Sequence, residues 1–182
     1  MVAGFTFSGL ATKAFCYVLF VFAPISQTLF SVTDVPICMG MHTDLIIANP
    51  SDAKVLGEEK TDAKFKCKET SKLSLGHLVA LQCILSKKKF TKELFKEYPL
   101  LFENSEEGPW VGKISDELVQ LVSKVDDKDI PVIVKRWKEV KDDYADFVHE
   151  YPNDALEAGL KDLREFSKDA MKNKKSLLLR FW

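Results

Sequence analysis

An α+β fold, a small mixed sheet packed against about five or six helices, is predicted for residues 39–182 by three observations. Short apolar runs, Leu45-Ile46-Ile47 near the start and Leu177-Leu178-Leu179 near the end, read as buried strands. Between them, apolar residues recur at three- and four-residue spacing, the period of helices that bury one face. Helical and extended stretches follow each other in irregular order without an internal repeat, which favours α+β over a regular βαβ array.

The first strand is His42–Ala48, and Asn49-Pro50-Ser51-Asp52 stops it. Ser51 is the expected N-cap of a short helix that follows. The polar stretch Lys60–Thr70 has room for a short edge strand around Phe65. Ser74 caps a helix to about Ser86, where Leu75, Leu78, Val79, Leu81 and Leu85 make a broad buried face. Lys87-Lys88-Lys89 is a loop, and a short helix covers Thr91–Glu97. Pro99 forces Tyr98 out of the helical region, so Leu100–Glu103 is extended.

Gly108-Pro109 marks a turn before a second extended piece, Trp110–Ile114. Ser115 caps a helix with Leu118, Leu121, Val122 and Val125 on one side. Asp126–Asp129 interrupts, and Pro131 enters the first turn of the next helix. There Ile133, Trp137, Val140 and Tyr144 form the stripe. Pro152-Asn153 opens a last long helix striped by Leu156, Leu160, Leu163, Ala170 and Met171. Its basic end, Lys172-Asn-Lys-Lys175, suits the negative helix pole. Ser176–Trp182 is a final strand, too apolar to stand uncovered, and is expected beside another buried strand.

The chain has 182 residues, 46 % of them hydrophobic, and a formal net charge of -1 from 26 basic and 27 acidic residues. One domain of ordinary size with a real core fits these bounds. Lys13 and Asp34 are the charges ahead of Met39, so the body is balanced as well. A balanced body lacks the concentrated basic face that phosphate backbones require, and no nucleic-acid partner is expected. Cys16, Cys38, Cys67 and Cys83 contain no CxxC pair, so no metal is expected, and no cofactor motif is present. Cys83, in an apolar helix, reads as a small core residue. Export would open a Cys38–Cys67 bridge.

Residues 14–33 carry no charge. The strongest part, Ala14–Ala23, follows Lys13 and precedes Pro24, the arrangement of a signal-peptide hydrophobic region. No clean Ala-x-Ala cleavage site follows. Twenty helical residues at about 1.5 Å each would just cross a hydrocarbon core of about 30 Å, with a kink at Pro24. Three readings stand: a cleaved targeting sequence, an uncleaved anchor, and a segment that is neither. The first two favour a membrane-associated, exported or organellar location over the cytoplasm.

Nucleotide-binding, zincin and hydrolase motifs are absent from the sequence. His42 and Asp44 sit two apart on the first strand and so share a face of it. With Glu106 or Glu107 from a loop they form a candidate metal or acid–base site; the plain structural alternative is a strand-end His and a solvated Asp. His77 on the leucine-rich helix is a candidate base or a hydrogen-bonded core residue. His149 follows a helix end, where a structural role suffices. Asn104–Trp110 places Glu106, Glu107 and Trp110 beside a fixed turn, either as a binding rim or as a turn with Trp110 plugging the core. Lys87–Lys89 would meet anionic lipid if residues 14–33 span a membrane.

Several fragments resemble the YfbM-like domain of unknown function found in bacterial proteins. They are Met39-Gly40-Met41 before the first strand, the leucine-rich helix with His77, Pro99-Leu-Leu, Ser105-Glu-Glu-Gly-Pro-Trp-Val111, and the last helix running into Lys175-Ser-Leu-Leu-Leu179. The resemblance covers residues 39–182, implies an α+β domain and makes residues 1–38 either an addition or the product of a start assigned too far upstream. It carries over no catalytic residue. The functional expectation is a non-catalytic binding or interaction domain with a protein partner, an accessory subunit on a membrane assembly in one version. The alternative is a small hydrolase or metal-dependent enzyme using His42, Asp44, His77 and Glu106 or Glu107.

Overall fold

The computed structural model describes residues 42–58, 64–70, 73–105, 108–141, 145 and 148–182. Residues 14–33, Cys38, Glu106, Glu107 and Tyr144, all singled out above, lie outside the described residues. The described chain is α+β, as expected. Its strands are β1 (Thr43–Ala48), β2 (Lys66–Glu69), β3 (Leu100–Glu103), β4 (Trp110–Lys113) and β5 (Ser176–Phe181). Its α-helices are α1 (Ala53–Glu58), α2 (Leu75–Ser86), α3 (Asp116–Ser123), α4 (Ile130–Trp137) and α5 (Asn153–Lys172). Tight 3₁₀ turns fill Pro50–Asp52, Lys92–Glu97, Asp127–Asp129 and Val148–Glu150.

The strands form one sheet in the order β2-β1-β5-β4-β3. Every pairing is antiparallel, where a mixed sheet was expected. For β3 and β4 the reason lies in the connection. β3 and β4 are joined by a short turn, and a tight turn at Asn173–Lys175 folds β5 back from α5. That turn places Lys174 at φ 52°, and the Lys175 amide donates to the Ala170 carbonyl at 3.0 Å. This left-handed helix ending reverses the chain within three residues.

β5 is the middle strand, paired with β1 from Ser176 to Phe181 and with β4 from Leu178 to Phe181. Its apolar run is buried on both faces, as a central strand demands. Leu45, Ile47, Leu177 and Leu179 enter a large core built with α2, α3, α4 and α5. Ile46, Ala48, Leu178 and Val111 face the other way, against Ala53 and Leu56 of α1. α1 lies close over β3: a Cβ on Gly57 would fall 2.1 Å from the Phe102 ring.

α2 is buried along Gly76–Cys83 and packs against α3 and α4. Ser74 caps it, with its hydroxyl accepting from the His77 amide at 3.2 Å. Three local expectations are corrected. The first cap is Asn49 rather than Ser51: the Asp52 carboxylate accepts from the Asn49 amide at 2.9 Å, with Pro50 in the first turn. α4 stops at Trp137 rather than running to Tyr144, since the next amides, Glu139 and Val140, bond only three residues back. Met171 leaves the α5 stripe and is exposed, because it lies about 100° around the helix from buried Ala170.

The strand expected near Phe65 is β2, an edge strand. Its lysines reach back to α5. Lys68 Nζ donates to Asp162 Oδ1 at 2.6 Å, and Lys66 Nζ to Glu165 Oε1 at 3.3 Å and to Asp169.

Candidate functional site

The first group of candidate residues gathers where β1 begins and β5 ends. The sheet register sets Asp44 opposite Arg180. Both side chains are 7 % exposed, and Arg180 donates from Nη2 and Nε to Asp44 Oδ2 at 2.7 and 3.0 Å. Arg180 Nη1 donates to the Leu56 carbonyl of α1 at 3.2 Å. The guanidinium carbon lies 5.1 Å from the centre of the Trp182 ring, a cation–π distance. Trp182 is 43 % exposed and roofs the ion pair.

His42 exchanges backbone hydrogen bonds with Trp182, and their rings stack at 6.1 Å. Its Nδ1 lies 2.9 Å from Glu69 Oε1 of β2, on the surface. His42 and Asp44 thus stand near each other, but each answers to a different partner. The two partners, Arg180 and Glu69, were missed by sequence reasoning. Arg180 had a signal: it is the sole charge in Ser176–Trp182, and a charge in a buried strand calls for a counter-charge.

His77 is wholly buried in α2. Its Nδ1 accepts the Ser74 amide at 3.3 Å, which puts the proton of a neutral ring on Nε2. The ring meets Tyr151 edge-on at 4.7 Å and Trp137 at 6.3 Å. The Trp137 indole donates to the His77 carbonyl at 3.0 Å. His77 therefore holds its own helix start and the seat of α4, in surroundings separate from those of His42 and Asp44.

Trp110 sits at the start of β4, 9 % exposed, stacked on Phe181 at 5.5 Å. Its indole donates to Glu103 at 3.4 Å. Gly108, at φ 90°, precedes a cis bond to Pro109, and a Cβ there would lie 2.9 Å from the Trp110 ring. The turn is shaped around Trp110, so this ring packs rather than projects.

A polar network not anticipated from sequence links α2, the Lys92–Glu97 turn and α3. The buried Gln82 amide donates to Glu97 at 2.6 Å and Glu117 at 2.8 Å, and Tyr98 donates to its carbonyl oxygen. Ser115, expected to cap α3 with its side chain, donates instead to Glu97 at 3.1 Å. Lys88 donates to Glu117 at 2.6 Å and holds that carboxyl below its ordinary range. The sequence signal was Gln82 itself, a polar residue within an apolar helix.

Burial pushes the neighbouring Cys83 thiol from 9.0 up to about 11, and the charges of Glu97 and Glu117 add to the rise. Burial, followed by the Glu97 charge, raises the Tyr98 phenol too. Both groups are therefore neutral near pH 7 and poor nucleophiles. Between pH 9 and 11 the unfolded chain loses the Cys83 proton and the folded chain keeps it, so stability falls as pH rises. The expected loss from Cys83 alone is about 2–3 kcal/mol across that interval. Urea unfolding at pH 8 and 10.5 should show a smaller drop for Cys83→Ala than for the unaltered protein; equal drops would refute the assignment.

Among the described residues no group of three or more His, Cys, Asp or Glu side chains is arranged to hold a metal ion. Among them, too, no helix is long and apolar enough to cross a membrane. No family model, curated protein or solved structure matches the chain.

Proposed function

We propose that residues 39–182 form a non-catalytic binding domain that docks a protein partner, and that residues 14–33 bring it to a membrane assembly. The fragmentary resemblance to the YfbM-like domain belongs to the same reading. The observation that supports it best is the contrast between the two edges of the sheet. β2 carries three charges in four residues, Lys66, Lys68 and Glu69, and charged side chains discourage strand addition. The opposite edge strand, β3, reads Leu-Leu-Phe-Glu, with Leu100 48 % exposed. An apolar outer strand is a natural seat for an extended segment of a partner.

The test is site-specific photo-crosslinking with the full chain in membranes of its native source. A photoreactive residue at position 100 is compared with one at position 161 on the exposed side of α5. A discrete protein adduct at position 100 and none at 161 is the expected result. Equal labelling at both positions, or none, would overturn the docking role of β3. One equivalent of zinc or iron in the purified chain, with hydrolytic turnover lost in His42→Ala, would replace this reading with the enzymatic one.

A further inference from the structure

The strand β2 is attached to the domain in a different way from every other strand. β1 is buried at all six positions, whereas three of the four β2 residues are exposed. β2 therefore contributes little apolar burial, the main stabilising term in a fold. Its attachments are a four-residue ladder to β1, a set of charged contacts, partial packing of Phe65 and Cys67 on the smaller core, and, just beyond its end, buried Thr70, whose amide donates to the Thr43 carbonyl at 2.6 Å. Lys66 reaches Glu165 and Asp169, Lys68 reaches Asp162, and Glu69 reaches His42. The Lys66 ammonium also lies 4.9 Å from the centre of the Phe166 ring. These ion pairs have side-chain exposures between 24 and 65 %. At such exposure each is worth little and is screened by salt.

The rest of the domain does not need β2 to close. β1 is held on its other side by six paired residues of β5. Leu45 and Ile47 sit in the large core with Leu160, Leu163 and Phe166 of α5. A segment with few buried contacts and an exposed ladder opens locally at lower free energy than the core beside it.

We propose that β2 is an ionic strap: rising salt concentration releases it from α5 and β1 while the remaining sheet stays folded, uncovering the outer edge of β1. The edge so exposed runs along the apolar, fully buried run Leu45-Ile46-Ile47. Cys67, which opposes Ile46, leaves its place against the smaller core at the same time. The inference stands independently of the docking role proposed for β3.

Amide hydrogen exchange of the full chain at fixed pH, in 50 mM and in 1 M NaCl, tests the strap. Peptides covering Lys66–Glu69 are expected to exchange about five- to tenfold faster at high salt, the effect of screening several weak ion pairs together. Peptides from β5 are expected to keep their rate. Lys66→Gln with Lys68→Gln is expected to show the fast β2 rate already at 50 mM and to lose the salt response. A thiol probe gives a second readout: mapped alkylation of Cys67 accelerates with salt, while buried Cys83 stays unlabelled. A β2 rate that ignores salt in the unaltered protein overturns the strap. So does acceleration of β2 and β5 together, which would mean global opening.

Discussion

Arg180→Met should destabilise the domain by about 3–5 kcal/mol in urea unfolding near pH 7. The substitution keeps much of the side-chain volume and removes the charge. It strands the Asp44 carboxylate, 7 % exposed, beside the Leu56 carbonyl that Arg180 also satisfied. An uncompensated buried charge is the costliest defect a core of this kind can hold. The double replacement Asp44→Leu with Arg180→Met should recover most of the loss, because a well-packed apolar pair has no desolvation penalty to offset. A single-variant loss below about 1 kcal/mol, or a double variant no better than the single, would show that water reaches the pair beneath Trp182.

Trp137→Ala should cost a similar amount, about 3–5 kcal/mol, by leaving a large cavity among α2, α4 and α5. Trp137 is fully buried and is among the largest side chains in the core. Trp137→Phe separates its two contributions. Phe keeps most of the apolar contact but leaves the His77 carbonyl without its indole donor at 3.0 Å. A loss of about 0.5–1.5 kcal/mol is expected for that variant, the usual net worth of one hydrogen bond, since the His77 carbonyl lies within α2 and keeps its helical partner. Thermal and urea unfolding of both variants decide the matter. If Phe costs as much as Ala, the hydrogen bond rather than the volume carries the effect.

Much of the secondary structure was legible because its causes are local. Ser74 as a cap, Pro99 as a helix stop, Pro131 in a first turn and Gly108-Pro109 as a bend each act within a few residues. The errors were local competitions decided by context. Asn49 and Ser51 are both good caps, and the Asp52 carboxylate, bonded to the Asn49 amide, selects the first. Ser115 gives its hydroxyl to Glu97 because the turn that ends at Glu97 packs against α3.

The candidate site was less legible for a different reason. Asp44 and Arg180 lie at opposite ends of the domain sequence and meet only through the β1–β5 register. No periodicity announces a pairing over that separation. The two carboxylates on Gln82, from Glu97 and Glu117, are likewise joined by helix packing alone. The sequence reading singled out Asp44 alone; Arg180 in an apolar strand and Gln82 in an apolar helix were signals it did not use, and their partners come only from the fold.

The central place of β5 has a consequence for how the domain is made. A growing chain delivers β1 first, then β4, and holds both without their shared neighbour until residues 176–181 emerge. Contacts between distant parts of a chain form late and slowly. Until then β1 can pair only with the short edge strand β2 and β4 only with β3, so the edges of β1 and β4 that face β5 stay open. A nascent chain in that state offers sticky apolar edges to its neighbours, the situation in which ribosome-bound chaperones matter most. Yield in the cell should then depend less on the stability of the finished domain than on protection during the interval before its middle strand arrives.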